Sequence, residues 1–306
     1  FYRVILEFLY PLWAYIIYNH FEKKNKTKLL IIYSPSIFLS LFQYLYKKKF
    51  KVKTFLILRD HFPKWAIDLK LINNNILIFF FLKIEDFLLR YSDTIAIQSK
   101  NNLKFINKSF HKKIIIFRNW INLKKKKEIK KYKKDIKLIY CGNIGPAQDF
   151  KSINFIINQC IKNYIYLDFY GRGKLYDEIK KKSGHFIKVY DEIKIEKLDK
   201  IIRNYDGGLI SLNRLHSTTN IPGKFLTYIE NDLPVFGIIN KNNELLKMTK
   251  KYKIGLTTSS YQKKNIEINF STFIKNIELY KKGNFDKVKN VFSIENNLKI
   301  INNLIN

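Results

Sequence analysis

The sequence predicts an α/β protein of two domains, each built on a parallel sheet. Short apolar runs bounded by polar turns alternate with helical periods, which is typical of parallel sheets covered by helices. The alternation stops at a lysine-rich segment, residues 121–135, and then restarts. The length of 306 residues and the hydrophobic content of 46% are sufficient for two domains with sizeable cores.

In the first half, four runs rich in Ile, Leu and Phe are predicted strands, and helical periods lie before and between them. The strands are residues 28–33, 51–58, 93–98 and 113–117, and the helices are 3–20, 38–49, 64–91 and a short one near 100–107. Residues 121–135 are charged, contain few apolar anchors and are the predicted linker.

The second half repeats the alternation with five further strands. The strands are residues 136–142, 165–171, 186–190, 208–212 and 234–239, and the later helices are 196–205, one that starts near 220–224, 266–281 and 291–305. No internal sequence repeat relates the two halves, so we expect two α/β domains in tandem rather than a repeat protein.

The formal net charge of +32 at first favours a partner with negative charge. Only seven of the 57 basic residues are Arg, however, and Lys, Ile, Asn and Phe are abundant together, as an AT-rich coding sequence would produce. A nucleic-acid binder would concentrate arginine or interleaved aromatic residues on one face. We therefore assign most of the charge to coding bias and a smaller part to an anionic membrane surface or a phosphorylated substrate. No specific nucleic-acid partner is predicted.

The cysteines and the apolar runs indicate in which cellular compartment the protein is expected. Cys141 and Cys160 fit no zinc or disulfide spacing, which favours a reducing, cytoplasmic location. No signal peptide is visible, and the longest uncharged apolar run, Phe8 to Tyr18, is too short to span a bilayer. The chain starts with Phe1 rather than Met, so we expect part of the first domain to lie upstream.

Three glycine-bearing turns follow predicted strands of the second half and precede helices. They are CGNIGPAQD (141–149), YGRGK (170–174) and NIPGK (220–224). Ligands of open α/β sheets bind at the carboxyl ends of strands, where glycine permits close backbone approach and helix-start amides hold anions. One such turn commonly does no more than reverse the chain. Three in one domain predict a phosphate-bearing ligand.

Several catalytic motifs are absent. The sequence contains no Walker loop, no GxGxxG, no HExxH and no DxD pair, and no Ser or Cys nucleophile with a partnered His can be argued from spacing. We therefore predict chemistry that needs neither a metal ion nor a cofactor.

In the first half the sharpest candidate site is LRDHFPKW (58–65). The predicted strand 51–58 ends in Arg59, Asp60 and His61, three ionisable groups at the edge where a sheet presents its residues to a ligand. The alternative is a structural turn in which Asp60 caps a helix opened by Pro63. Spacing alone leaves both interpretations open.

Taken together, these segments resemble family 4 of the glycosyltransferases with the GT-B architecture. Within it they are similar to bacterial N-acetyl-L-fucosamine transferases of O-antigen and capsule synthesis. The segment NIPGKFLTYIENDLPVFG (220–237) is the most specific match, and the family's order is kept from about residue 28 to the end. The other matching segments are ILRDHFPKWAIDL (57–69), YSDTIAIQSKNNL (91–103), RNWI (118–121), YCGNIGPAQ (140–148) and YGRGKLYDEI (170–179).

The resemblance implies two Rossmann-like domains that face each other across a cleft, the N-terminal one incomplete. The implied divisions are 1–122 for the acceptor-side domain, 123–290 for the donor domain, and 291–306 for a helix that crosses back to the first domain. The family's Gly-rich N-terminal loop is absent from this sequence. A truncated, inactive transferase is therefore one alternative reading.

The resemblance also implies a donor site in the second domain. Its expected residues are Gly142, Asn143, Gly145, Gln148, Gly171, Arg172, Gly173, Thr219, Asn220, Ile221, Pro222, Gly223, Lys224 and Thr227. Thr219 and Thr227 stand where the family usually has two glutamates, and Asn143 and Gln148 stand near the positions where many members have a basic pair. We therefore expect turn amides, Arg172 and Lys224 to bind the phosphates. Arg59, Asp60 and His61 are the catalytic candidates.

The activity implied is retaining, metal-independent transfer of a sugar from a nucleoside-diphosphate sugar, expected to be UDP-linked, to a lipid-linked glycan. It would take place at the cytoplasmic face of the membrane, with peripheral contact to anionic lipid through residues such as Arg3, Trp13 and Lys47–Lys49. The alternative enzyme is a UDP-sugar epimerase of the same architecture. It ranks lower because the candidate cleft segments are poor in carboxylates and histidines.

Overall fold

The computed structural model describes residues 2–22, 26–34, 36–121 and 135–306, without the side chains of residues 2–5. Most of the predicted linker and the side chain of Arg3 lie outside the described residues. The chain divides into two compact units, of which unit 1 comprises residues 1–118 and 297–306 and unit 2 comprises residues 119–296. The domain boundaries expected from the sequence, 122/123 and 290/291, lie close to these.

Unit 1 contains a four-stranded parallel sheet in the order β1-β2-β3-β4. Its strands are β1 (Leu29–Tyr33), β2 (Lys53–Leu58), β3 (Thr94–Ile97) and β4 (Ile114–Ile116). Its helices are α1 (Tyr2–Glu22), α2 (Leu39–Phe50), α3 (Lys64–Asp68) and α4 (Asn75–Arg90), with 3₁₀ turns at Lys100–Phe105 and Lys108–Lys113. The predicted helix 64–91 is thus two helices, and the short one near 100–107 is a 3₁₀ turn.

The core of unit 1 lies on both faces of this sheet. On one face, residues of α1, α2 and α4 pack against Leu30, Leu56 and Ile95. On the other face, Phe55 and Phe117 form a smaller cluster with Ile300, Ile301 and Leu304 of the last helix. The C-terminal helix therefore completes the cover of the first sheet.

Unit 2 contains a six-stranded parallel sheet in the order β10-β9-β8-β5-β6-β7. Its strands are β5 (Lys137–Cys141), β6 (Tyr166–Tyr170), β7 (Ile187–Tyr190), β8 (Gly207–Ser211), β9 (Val235–Ile238) and β10 (Gly255–Thr258). From β5 the chain adds strands first on one side and then on the other, which is the doubly wound order. The reversal falls between β5 and β8.

Nine helices cover this second sheet or connect it to the chain end, counted within residues 135–306. They are α5 (Phe150–Lys162), α6 (Tyr176–Lys180), α7 (Ile195–Ile201), α8 (Gly223–Glu230), α9 (Leu245–Tyr252), α10 (Lys263–Lys275), α11 (Ile277–Lys281), α12 (Phe285–Val291) and α13 (Ile294–Ile305). The sequence interpretation missed β10 and α9. The strand is short and half-buried, and the helix carries four polar or charged residues in its eight, so neither gives a clear period.

Candidate functional site

The strand order identifies one edge of unit 2 as the place for a ligand. In a doubly wound sheet the loops after the two strands at the reversal diverge to opposite faces and leave a crevice at their carboxyl ends. Here those strands are β5, followed by residues 142–149, and β8, followed by residues 212–222. Two of the three predicted turns, CGNIGPAQD and NIPGK, therefore belong to the same crevice.

The turns after β5 and β6 lock together through glycines. Gly142 N–H donates to the Tyr170 carbonyl at 2.8 Å, and Ile144 N–H donates to the Arg172 carbonyl at 2.9 Å. A Cβ on Gly171 would lie 2.0 Å from the Gly142 oxygen, and Gly173 has a φ of +149°. These positions require glycine, so the turns 142–145 and 171–173 are a rigid wall of the crevice.

Lys224 lies against this wall. Its Nζ donates to the Asn143 carbonyl at 3.3 Å and stands 4.7 Å from the centroid of the Tyr140 ring. The Tyr140 hydroxyl donates to the same carbonyl at 2.8 Å, which fixes the turn under the ammonium group. Burial lowers the pKa of Lys224 to about 8. A half-buried ammonium at the reversal point is a group that an anionic ligand would stabilise.

Helix α8 starts beside Lys224 without a side-chain cap. Its N-cap residue is Pro222, so the helix begins at Gly223, one residue later than a proline-first reading of the sequence. The helix is held by Tyr228, whose hydroxyl donates to the carbonyls of Ile139 and Leu209 and accepts from Cys141 N–H. Tyr228 thus attaches α8 to β5 and β8, the two strands at the reversal. The N-terminal end of α8, which carries the positive end of the helix dipole, points at the crevice.

Helix α5 starts at the same crevice with a different arrangement. Its N-cap is Asp149, whose carboxylate accepts from Ser152 N–H at 3.0 Å and from Arg214 Nε at 3.0 Å. An internal anion already satisfies this helix start. Of the phosphate-binding amides expected in the segment CGNIGPAQD, those at the start of α5 therefore drop out, and those of the turn 142–145 remain candidates.

A network of amide side chains crosses the reversal, and the sequence interpretation missed it. Asn213 Nδ2 donates to the Pro146 carbonyl at 2.9 Å, and Asn213 N–H donates to the Ala147 carbonyl. Asn240 Nδ2 donates to the carbonyls of Asn213 and His216. Asn213 and Asn240 directly follow predicted apolar strands, and an Asn at the carboxyl end of such a run is the sequence signal that would have found them. The buried Asn240 Oδ1 and Gln148 Oε1 have no hydrogen-bond partner within the described residues.

The remaining expected donor residues differ in how exposed their side chains are. Thr219 and Ile221 are buried, and Ile221 belongs to the core beside α8. A ligand would reach the Thr219 hydroxyl only after the loop 212–222 moves. Thr227 is half-buried and donates to the Gly223 carbonyl at 3.4 Å. The exposed Arg172 pairs with Asp191 at 3.4 Å.

The structure places Arg59, Asp60 and His61 together after β2 of unit 1. Arg59 Nη1 donates to the Tyr33 hydroxyl at 2.8 Å, and its carbonyl accepts from Gln98 Nε2. His61 is buried, and neither of its ring nitrogens has a hydrogen-bond partner among the described residues. Burial lowers the pKa of His61 to about 4, so the ring is neutral at pH 7.

The alternative reading of this turn, with Asp60 as a helix cap, is wrong. The N-cap of α3 is Pro63, and no side chain makes a cap hydrogen bond there. Within this turn the Asp60 carbonyl accepts from Phe62 N–H at 3.0 Å. The half-buried Asp60 therefore does not cap α3.

The described residues bring together no group of three or more His, Cys, Asp or Glu side chains that could hold a metal ion. None of the helices within them combines the length and the apolarity needed to cross a bilayer.

No family model matches the sequence, and no curated protein matches it. Solved structures do match the fold. The chain is similar to the lipopolysaccharide outer core galactosyltransferase WaaB, with a TM-score of 0.62, 14% identity, and coverage of 98% of this chain and 81% of that one. It is also similar to the pneumococcal O-GlcNAc transferase GtfA in complex with UDP and GlcNAc, with a TM-score of 0.66, 13% identity, and coverage of 95% and 59%.

A third similar structure is a mutant of TarM from S. aureus in a complex that contains UDP. The TM-score is 0.62 at 12% identity, over 94% of this chain and 58% of that one. The chain therefore spans less than two thirds of TarM and GtfA. The fold is that of the GT-B glycosyltransferases, as the sequence predicted. Family 4 membership and the N-acetyl-L-fucosamine specificity stay predictions.

Proposed function

We propose that this chain is a retaining glycosyltransferase that moves a sugar from a UDP-sugar to a glycan on a lipid carrier during surface polysaccharide synthesis. One observation carries the proposal. Lys224, the glycine-fixed turn 142–145 and the uncapped start of α8 converge at the strand-order reversal of unit 2. The fold and the UDP in the GtfA and TarM structures support a nucleotide-sugar as the ligand.

In this proposal unit 2 holds the donor. The diphosphate lies against Lys224 and the first amides of α8, and the turns 142–145 and 171–173 shape the wall beside it. Lys224 stabilises the charge that develops on the leaving diphosphate as the bond from the anomeric carbon to oxygen breaks. The chain would supply this positive charge without a metal ion or cofactor.

Unit 1 is proposed to act on the acceptor. The acceptor hydroxyl oxygen forms the new bond to the anomeric carbon on the face that the diphosphate leaves, and its proton passes to a base or to the departing phosphate. Arg59 and Asp60 are assigned to orient or deprotonate the hydroxyl. His61 is buried, and its pKa of about 4 keeps it neutral at pH 7, so it is assigned to support the turn that carries Arg59 and Asp60 rather than to contact the acceptor.

The acceptor is proposed to be a lipid-linked glycan at the cytoplasmic face of the membrane, where the protein would bind peripherally. The similarity to a lipopolysaccharide galactosyltransferase and the net charge of +32 support this choice. A lipid-anchored acceptor keeps the reaction at a surface with negative potential, to which a strongly basic protein is attracted.

Thermal unfolding with and without UDP tests the donor site, and the chain offers a matched pair of variants. Lys224 is the second residue of α8, and the exposed Lys151 is the second residue of α5. UDP at 100 times its Kd stabilises the folded state by about 2.7 kcal/mol. We expect Lys224→Ala to weaken UDP binding by roughly 30-fold, equivalent to about 2 kcal/mol, and Lys151→Ala to change it less than about threefold.

Equal effects of the two variants, or no stabilisation of the parent by UDP, would show that the donor site is wrongly assigned. Donor hydrolysis or transfer in the presence of EDTA then tests metal independence. The anomeric configuration of the product, read by NMR, tests the retaining outcome. Release of an isomerised UDP-sugar without acceptor would indicate the epimerase instead.

A further inference from the structure

Strands β6 and β7 are the last two strands on one side of the unit 2 sheet, and one face of this strand pair is aromatic. Successive side chains of a strand point to opposite faces. Leu167, Phe169 and Ile187 lie in the buried core of unit 2. The side chains that alternate with them therefore share the other face, where they form three cross-strand pairs. The pairs are Tyr166 with Phe186, Asp168 with Lys188, and Tyr170 with Tyr190.

Ring contacts join the aromatic members of this face. The Tyr170 and Tyr190 rings are stacked, with centroids 4.7 Å apart. The centroids of the Tyr166 and Phe186 rings lie 5.4 Å apart. Tyr164, which precedes β6, adds a ring whose centroid is 5.6 Å from that of Phe186. We call this set the β6–β7 aromatic ladder, and its members are Tyr164, Tyr166, Asp168, Tyr170, Phe186, Lys188 and Tyr190.

The β6–β7 aromatic ladder is exposed to solvent, and its central polar groups are held in place. Tyr164 is 74% exposed and Tyr190 is 38% exposed. The Tyr205 hydroxyl donates to Asp168 Oδ2 at 2.6 Å and lies 3.2 Å from the Tyr170 hydroxyl. Cross-strand aromatic pairs stabilise a sheet without such exposure. A preorganised, exposed aromatic surface loses little conformational freedom when a ligand covers it, which is typical of a binding site.

The ladder extends along β6 to the edge of the candidate site. Tyr166 and Tyr170 are the first and last residues of β6, so they are about 13 Å apart along the strand. Tyr170 directly precedes the turn 171–173, and its carbonyl accepts from Gly142 N–H at 2.8 Å. A ligand that covers the ladder is therefore longer than a single sugar ring, and one of its ends lies beside the proposed donor site.

The composition of the ladder decides between the possible occupants. Its two charged members, Asp168 and Lys188, have opposite signs, so the ladder is neutral in a chain with a net charge of +32. An anionic polymer would meet the Asp168 carboxylate at the centre of the ladder, which opposes its binding there. A strand of another protein would have to pair with β7, an edge strand of four residues that exposes Lys188, and such edges oppose strand addition. A second copy of the chain is opposed by the net charge of each copy.

An uncharged sugar chain fits these features. The C–H faces of pyranose rings are apolar and cover aromatic rings, and their hydroxyl groups donate to a carboxylate and exchange hydrogen bonds with tyrosine hydroxyls. We propose that the β6–β7 aromatic ladder is a binding site for an uncharged oligosaccharide, separate from the donor crevice, that holds a sugar chain against unit 2. The site goes beyond the proposed transferase activity, because binding there includes no transfer step.

Isothermal titration of the full chain with chitohexaose and with maltohexaose tests the site. We expect at least one of these uncharged hexasaccharides to bind, with the same affinity at low salt and in about 0.5 M NaCl, because the ligand has no charge to screen. Tyr164→Gly should weaken binding about fivefold through the loss of one ring. Tyr164 has a φ of +57°, which glycine adopts without strain, so the variant keeps the backbone. The matched control is Lys253→Gly at a φ of +54°, which removes no ring and should bind as the parent does.

Tyr190→Ala, at the other end of the ladder, should weaken binding by a similar factor. The proposal is overturned if neither hexasaccharide binds the parent, or if both ring variants bind as the parent does. Binding of a heparin hexasaccharide alone would assign the surface to anions and also overturn it. A parent dimer that Tyr164→Gly disperses, with no hexasaccharide bound, would assign the ladder to a second copy. UDP should stabilise Tyr164→Gly as much as the parent. Hexasaccharide binding without any UDP stabilisation would reject the donor site alone.

Discussion

The two sheets of this protein are both parallel and both end in turns with ionisable residues, yet their strand orders differ. Unit 1 orders its four described strands as they occur in the chain, from β1 to β4. Unit 2 reverses direction between β5 and β8. A reversal leaves a crevice at the carboxyl ends of the strands, and among the described strands it is unit 2 that contains one. The turn after β2 and the turn into α8 therefore have different surroundings.

His61 and Lys224 show what this difference does to a side chain. Burial lowers the pKa of both groups, to about 4 for His61 and to about 8 for Lys224. His61 is enclosed near the Phe105 ring, and neither ring nitrogen has a hydrogen-bond partner among the described residues. The Lys224 ammonium group lies at a crevice, where it contacts the Asn143 carbonyl and the face of the Tyr140 ring. A shifted pKa indicates a ligand site only where the fold also leaves room for the ligand.

The largest effect is expected from closing the space under α8. A Cβ on Gly208 would lie 2.5 Å from the Tyr228 ring, which is fully buried and cannot move aside. We expect Gly208→Ala to lower the free energy of unfolding by about 3 kcal/mol and to weaken UDP binding, because the start of α8 is displaced. Urea denaturation and UDP titration measure the two effects.

Gly184→Ala is the matched control, since nothing lies within 4 Å of the added Cβ. It should leave both quantities near those of the parent. If Gly208→Ala binds UDP as tightly as Gly184→Ala does, then the position of α8 that Tyr228 sets has no role in donor binding.

In unit 1 the corresponding prediction concerns acid stability. The pKa of His61 is depressed in the folded state, from about 6.5 to about 4, so the stability that its neutral form contributes is present above pH 6.5. It is lost as the pH falls from about 6.5 to about 4 and amounts to about 3 kcal/mol. His61→Leu should remove this part of the acid dependence. Denaturation curves at pH 7.5 and pH 4.5 measure it.

The control for the acid experiment is His20→Gln, which changes an exposed histidine on α1. This variant should follow the parent at both pH values. An acid dependence of His61→Leu as steep as the parent's would mean that His61 gains a proton without cost and that its ring is not enclosed.

The sequence predicted the strands better than the way they combine. Apolar runs such as KLIYC identify buried strands by composition alone, and the glycines of 141–149 and 170–174 identify tight turns. Strand order is not local information, so the reversal between β5 and β8 could not be read from the residues without the family resemblance. The capping of α5 by Asp149 was available in the sequence, because an Asp before a helical period is a capping signal.

Other features of the site depend on contacts between distant residues. Lys224 and Asn143 are far apart in the chain, and only the folded sheet brings the ammonium to the turn carbonyl. The burial of Thr219 likewise follows from how the loop 212–222 packs rather than from its own residues. The position of Thr219 in the motif therefore predicted which segments lie near it but not whether a ligand can reach its side chain.

The smallest expected effect is the pH dependence of UDP binding, and it tests Lys224 directly. The pKa of Lys224 is about 8 in the free protein, and bound diphosphate would raise it, because an anion favours the ammonium form. UDP affinity should therefore be constant below pH 7.5 and fall about tenfold between pH 8 and pH 9.5, as the free lysine loses its proton. Lys224→Arg provides the control, since a guanidinium stays charged throughout this range. Isothermal titration at several pH values should give a falling curve for the parent and a flat one for Lys224→Arg. A flat curve for both would mean that the diphosphate is bound by the α8 amides alone, and the lowered pKa of Lys224 would then reflect burial without a role in binding.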